Sequence, residues 1–255
     1  MADRLDALQQ TWSSLEEVLQ DLPEREWRIE TGCPGWTVQD TVAHLTSFEL
    51  AAMGEHQPEH MLPAGLEHVH GDTHRMIEIP IDYRRSWAPR KVFDEFRDVT
   101  ARRLTMLRAD DTPSDAMMPF IFGGQLPYRS FMAVRVFDAY AHEQDIRRAT
   151  GRNGNLTGPA ASLARRQLVS AWSRACASLP EFAGASVKVE IDGELHRLTE
   201  APGDTVTAPE VIWHTSFENA MALGCGRADA DLASVTVIGD EDLFQSLIPH
   251  LAFTP

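Results

Sequence analysis

Apolar residues Leu5, Leu8, Trp12, Leu15 and Leu19 recur every three or four positions near the start of the chain. That period predicts a first amphipathic helix over residues 3–20 with one stripe facing a core. Pro23 and the Gly32-Cys33-Pro34-Gly35 turn break the pattern. Thr37 then stands where it can cap a second helix, over about 38–53, with the Asp40 carboxylate at the positive end. Residues 54–80 hold no sustained period and are rich in Pro, Gly and His, so they read as a long surface segment with room for one short helix. Val92, Phe93, Phe96, Val99, Leu104 and Leu107 return to helical spacing. After a stretch punctuated by Pro113, Pro119, Gly123-Gly124 and Pro127, a fourth helix is expected over about 129–149, stopping before Gly151. A fifth apolar pattern runs from Pro159 to Leu179.

Past Pro180 the period changes from helical to alternating. SVKVEI, LHRL, DTVTA and SVTVIG read as strands, with a hairpin at Asp192-Gly193, and helices are expected at about 209–223 and 240–251. The pattern therefore describes an α+β chain. A four-helix bundle over residues 1–182 precedes a small α+β domain over 183–255.

Composition narrows the partners. The net charge of −15 repels nucleic acid phosphates and anionic membrane surfaces, and no apolar run is long enough to span a bilayer. Nucleic acid and membrane partners are thus not expected. The acidic, amphipathic start lacks the basic end and apolar centre of an export signal, and three widely spaced cysteines without a CxxC pair suit a reducing cytoplasm.

The candidate chemistry lies on the fourth predicted helix. Arg135, Asp138, His142 and Asp145 follow steps of three, four and three, which put all four on one face. A polar stripe on a helix packed in a bundle needs partners, and a metal ion is one. Asp138 and His142, one turn apart, can grip the same ion, and His44 on the second helix can supply a third ligand. Two histidines and one carboxylate leave open positions, as in a catalytic metal site. The same spacing is also that of an ordinary surface ion pair, and periodicity does not choose between them. His56, His60, His68, His70 and His74 fit no closed ligand set and read as a solvated segment.

Two long motifs, TGCPGWTVQDTVAHL at 31–45 and RVFDAYAHEQDIRRATGR at 135–152, resemble the mycothiol-dependent maleylpyruvate isomerase family of the DinB-like metalloproteins. The end of the chain is similar to that family's sterol-carrier-like C-terminal domain. The resemblance implies a DinB-like bundle holding a divalent metal, zinc or alternatively nickel, on His44, Asp138 and His142. The characterised isomerases carry glutamate where this chain has Asp138. The resemblance implies mycothiol as thiol cosubstrate and matches Arg227 to an arginine of the C-terminal domain that serves the reaction and the cofactor. Arg135 and Asp145, flanking the ligand pair on one helix face, are candidates to orient His142 or hold a substrate carboxylate, Arg135 as a catalytic and Asp145 as a cofactor-binding residue. The function so implied is a metal-dependent S-transferase or isomerase that attacks a small electrophile through a metal-bound thiolate, in a monomer or homodimer. The alternatives are a non-catalytic metal-containing protein that binds a small molecule or lipid, and a metal-dependent hydrolase.

Overall fold

A computed structural model describes residues 2–120, 123–199 and 210–254. The chain divides into two compact units, residues 1–160 and 161–255.

The first unit is helical. It contains α1 (Ala2–Gln20), α2 (Val38–Ala52), α3 (Gly71–Arg85), α4 (Pro89–Ala109) and α5 (Tyr128–Thr150). The apolar periods explain the packing. Leu8, Trp12, Leu15 and Leu19 of α1, Val38, Val42 and Leu45 of α2, Val92, Phe96 and Val99 of α4, and Val136, Tyr140 and Ile146 of α5 are all buried together. Helix α1 lies against α4 and α5, and α2 lies against α3, α4 and α5, so α2 is central. Thr37 and Asp40 form the expected capping box, in which each side chain accepts from the other's backbone N–H. Gly151, left-handed at φ 65°, closes α5.

Two features depart from the sequence reading in this unit. Helix α3 runs for fifteen residues, starting inside the segment with room for only a short helix and continuing past its end, and it carries Pro80 in its interior. Its buried side is made largely of Glu78, Pro80, Ile81 and Arg84, so an apolar count misses it. A short antiparallel hairpin, β1 (Met117–Pro119) with β2 (Gln125–Pro127), fills part of the connection before α5.

Gly35 shows why the turn before α2 needs glycine. Its φ is +77°, and a Cβ there would lie 2.2 Å from the ring of His68, which is itself held 3.2 Å from Glu78. Gly35→Ala is expected to cost about 2 kcal/mol, from left-handed strain and the clash combined, read as a lower urea midpoint at unchanged slope.

In the second unit, α6 (Pro159–Ser178) precedes β3 (Ser186–Ile191), β4 (Glu194–Arg197), β5 (Glu210–Thr215), α7 (Phe217–Gly224), β6 (Thr236–Gly239) and α8 (Glu241–Leu247). The sheet order is β4-β3-β5-β6, with β3 parallel to β5 and the other pairs antiparallel. The hairpin falls at Asp192-Gly193 as expected, and both residues have positive φ, as a type I′ turn requires. Val187, Val189 and Ile191 alternate inward on β3, as do Val211 and Trp213 on β5.

The division at 160 lies ahead of the boundary expected near 182. Trp172 of α6 is fully buried, packs with its ring centre 4.8 Å from that of Trp213 of β5 at an inclination of 60° and donates its indole N–H to the Leu251 carbonyl, so α6 shares the core of the sheet. The helix expected over about 209–223 is corrected to a strand followed by a shorter helix. Ser216 caps that helix and so marks the break. The DTVTA run lies outside the described residues. Among the described residues no helix is long and apolar enough to cross a membrane.

Candidate metal centre

Helix α2 carries His44 and helix α5 carries Asp138 and His142 to one point inside the first unit. One potential ligand atom from each lies within 4.8 Å of the others, and among the described residues this is the one such group of three. His44 Nε2 is 3.5 Å from Asp138 Oδ2, and His142 Nε2 is 3.7 Å from Asp138 Oδ1. These separations are long for hydrogen bonds, yet close to the spacing of about 3.3 Å between two donors on one tetrahedral zinc. His44 Nε2 is buried and has no hydrogen-bond partner. Leaving a buried ring nitrogen unmatched is costly unless something else meets it, so the donor set fits a divalent cation.

The surroundings fix each of the three side chains. Asp145, 1% exposed, places Oδ2 3.0 Å from His142 Nδ1, while its Oδ1 accepts from Arg148 at 2.8 Å. A carboxylate on the far ring nitrogen sets the tautomer that leaves Nε2 as a ligand. Arg135 donates from Nη1 to Asp138 Oδ2 at 2.8 Å, and from Nε and Nη2 to Glu49 Oε1. Its guanidinium also lies 3.5 Å from the centre of the Phe48 ring. Glu49, 1% exposed, accepts from Arg103 on its other oxygen at 3.1 Å, so one carboxylate ties α2 to both α4 and α5. Trp36 lies against both imidazoles, 4.9 Å from His44 and 5.6 Å from His142, and donates its indole N–H to buried Glu78.

Of the residues singled out in the sequence, His44, Asp138, His142, Arg135 and Asp145 come together here. Arg135 is 1% exposed and committed to Glu49, Asp138 and Phe48, which makes it a residue that positions Asp138. Arg227 belongs to the second unit, where it follows α7, is 7% exposed and donates from Nη1 to the Cys225 carbonyl. Sequence reasoning missed Glu49 and Glu78, which look like ordinary helix-surface acids until the opposing helices are in place. Two histidines of the segment read as solvated are engaged: His60 lies 2.6 Å from Asp82, and His68 contacts Glu78.

Charge and burial set the protonation states. Burial lowers the pKa of His44 below its ordinary 6.5, and Asp138 offsets only part of this, so the ring is neutral at pH 7 and can act as a ligand. Burial opposes ionisation of Asp138, but Arg135 and the histidines outweigh it and hold that carboxyl well below 3.8. Between its folded pKa and 6.5, His44 binds more protons in the unfolded chain than in the folded one. Its contribution to stability is therefore complete above pH 6.5 and is lost as the pH falls through the folded value. The metal-free protein should show a urea midpoint that is level above pH 6.5 and declines below it, and His44→Gln should flatten that decline.

Comparison with known proteins bears on the family and the fold. Residues 8–147 match the family model described as the mycothiol maleylpyruvate isomerase N-terminal domain. Two solved structures share the fold, each at TM-score 0.62 over 92% of both chains. They are the mycothiol-dependent maleylpyruvate isomerase at 18% identity and its variant with a histidine replaced by alanine at 17%. No curated protein matches the chain.

Proposed function

The chain belongs to the mycothiol maleylpyruvate isomerase family through its N-terminal domain, and on that premise we propose that it is a metal-dependent, mycothiol-using isomerase or S-transferase. The observation that carries the proposal is the convergence of His44, Asp138 and His142 around the unmatched His44 Nε2. A divalent cation held there, zinc in first place and nickel as the alternative, supplies the positive charge that makes a thiol ionise near neutral pH.

The chain's own groups prepare the site. Asp145 fixes the orientation of His142, and Arg135 holds the shorter arm of Asp138 in reach of both imidazoles. Trp36 and Phe48 pack beside His44 and limit water around its ring. Arg227 is matched by resemblance alone to an arginine of the family's C-terminal domain that serves the reaction.

The test is elemental analysis of the purified protein with calorimetric titration of mycothiol before and after chelation. Near-stoichiometric zinc or nickel, with mycothiol binding that disappears on chelation and returns on reloading, is the expected result. Metal without thiol binding would favour a hydrolase that uses water. No metal, with lipid binding untouched by chelators, would favour a carrier.

A further inference from the structure

A cavity of about 860 Å³ opens within the first unit, and His44 forms part of its wall. That volume suits a small-molecule ligand. Its body is apolar, built by Phe48, Met76, Ile77, Met106, Met118 and Phe131. Met76 and Met106 are about half exposed, at 51% and 47%, although apolar side chains in such numbers normally turn away from water. Methionine walls adapt to varied apolar shapes.

The charged lining does not suit an anion. Arg103 is the cation among the lining residues, and its Nε already donates to Glu49. Asp110 and Asp111 also line the cavity. Asp110 accepts hydrogen bonds from Thr112 and from the Tyr128 hydroxyl, which keep its pKa lowered, so it stays charged. Tyr128 is pushed up to about 12, so its hydroxyl stays protonated and is committed to that carboxylate. The two positive charges of a cation on His44 would be balanced by Asp138 and a bound thiolate. A substrate carboxylate would therefore lose its hydration against apolar walls and meet Asp110 and Asp111 with Arg103, already bonded to Glu49 through Nε, as the one guanidinium of the lining.

We propose that this cavity is the electrophile pocket and that it selects neutral, apolar electrophiles such as aryl enones over carboxylate-bearing ones. The proposal rests on the thiol-transfer reading above. In such an addition the thiol sulfur bonds to the β-carbon, the C=C π bond breaks, and the proton of the thiol ends on the α-carbon. No further reactant is needed.

The experiment separates the pocket from the chemistry. Binding of the unreactive 4-phenylbutan-2-one and of its carboxylate analogue 4-(3-oxobutyl)benzoate to the metal-loaded protein is measured by calorimetry. Turnover of the matching enones with mycothiol is followed in parallel. The neutral ketone is expected to bind at least about tenfold tighter than the benzoate, and the neutral enone to be consumed with the corresponding preference in kcat/KM. Phe131→Lys, with metal content as the check on folding, should narrow or reverse that preference by placing a cation in the wall. Ala52→Trp, at the end of α2, should weaken the neutral ketone by filling space. A benzoate that binds as well as the ketone overturns the proposal, as does the absence of binding by both. A neutral preference in binding without any thiol consumption supports the pocket and overturns the thiol-transfer reading alone.

Discussion

His142→Ala is expected to lower divalent-metal affinity at least about 100-fold and to remove metal-dependent mycothiol binding with it. Loss of a hydrogen-bonded partner behind a ligand commonly costs 10–100-fold, and loss of the ligand itself costs more. Asp145 keeps its contact with Arg148 in the variant, so the carboxylate that faced His142 is not left isolated. The fold should survive, and circular dichroism and urea unfolding of the metal-free forms establish that it does. Asp145→Asn supplies the graded comparison, because it leaves every ligand in place and removes only the charge behind His142. Metal retained at the wild-type level in His142→Ala would exclude the assigned site.

Glu49→Gln is expected to destabilise the metal-free protein by about 3–5 kcal/mol in urea unfolding, the penalty for breaking a buried ion pair from one side. The carboxylate is 1% exposed and receives three hydrogen bonds, two from Arg135 and one from Arg103. Without its charge, the buried Arg135 keeps only Asp138 as an anionic partner. Burial opposes the charge of Arg135, and Glu49 followed by Asp138 outweighs it. The double variant Glu49→Leu with Arg135→Met should recover part of the loss by removing both members of one pair, the remainder coming from Arg103 and Asp138, which each lose a partner. A loss below about 1 kcal/mol for the single variant would mean that water reaches these guanidiniums and that the network contributes little.

The elements legible in the sequence have an apolar stripe or a marked end. Helices α1 and α4 carry clean stripes, α2 and α5 mix apolar with buried polar residues but are marked by the Thr37 cap and by Gly151, and β3 with β4 announce themselves through alternation around Asp192-Gly193. Helix α3 was not legible because polar groups with specific partners form its buried side: Arg84 pairs with Glu95 and donates to the Pro80 carbonyl, and Glu78 receives the Trp36 indole. Strand β5 was misread because Trp213, Phe217, Ala220 and Met221 in EVIWHTSFENAMALG fall at spacings that fit one helix face across the strand–helix break. The β-branched Val211-Ile212 start and the capping Ser216 are weak signals beside that period. The three candidate ligands were within reach of spacing joined to family resemblance. Glu49, which ties Arg135 to Arg103, was not, because its role exists only across three helices that are far apart in sequence.

Trp36 gives the site an optical property of its own. Its indole lies within 6 Å of both imidazoles, while its N–H is engaged by Glu78. An ion gripped by those rings would change the electric field across the indole, and a paramagnetic ion would also drain its excited state. The emission of this one tryptophan among six is therefore placed to report how full the site is and which kind of ion fills it, without any attached dye.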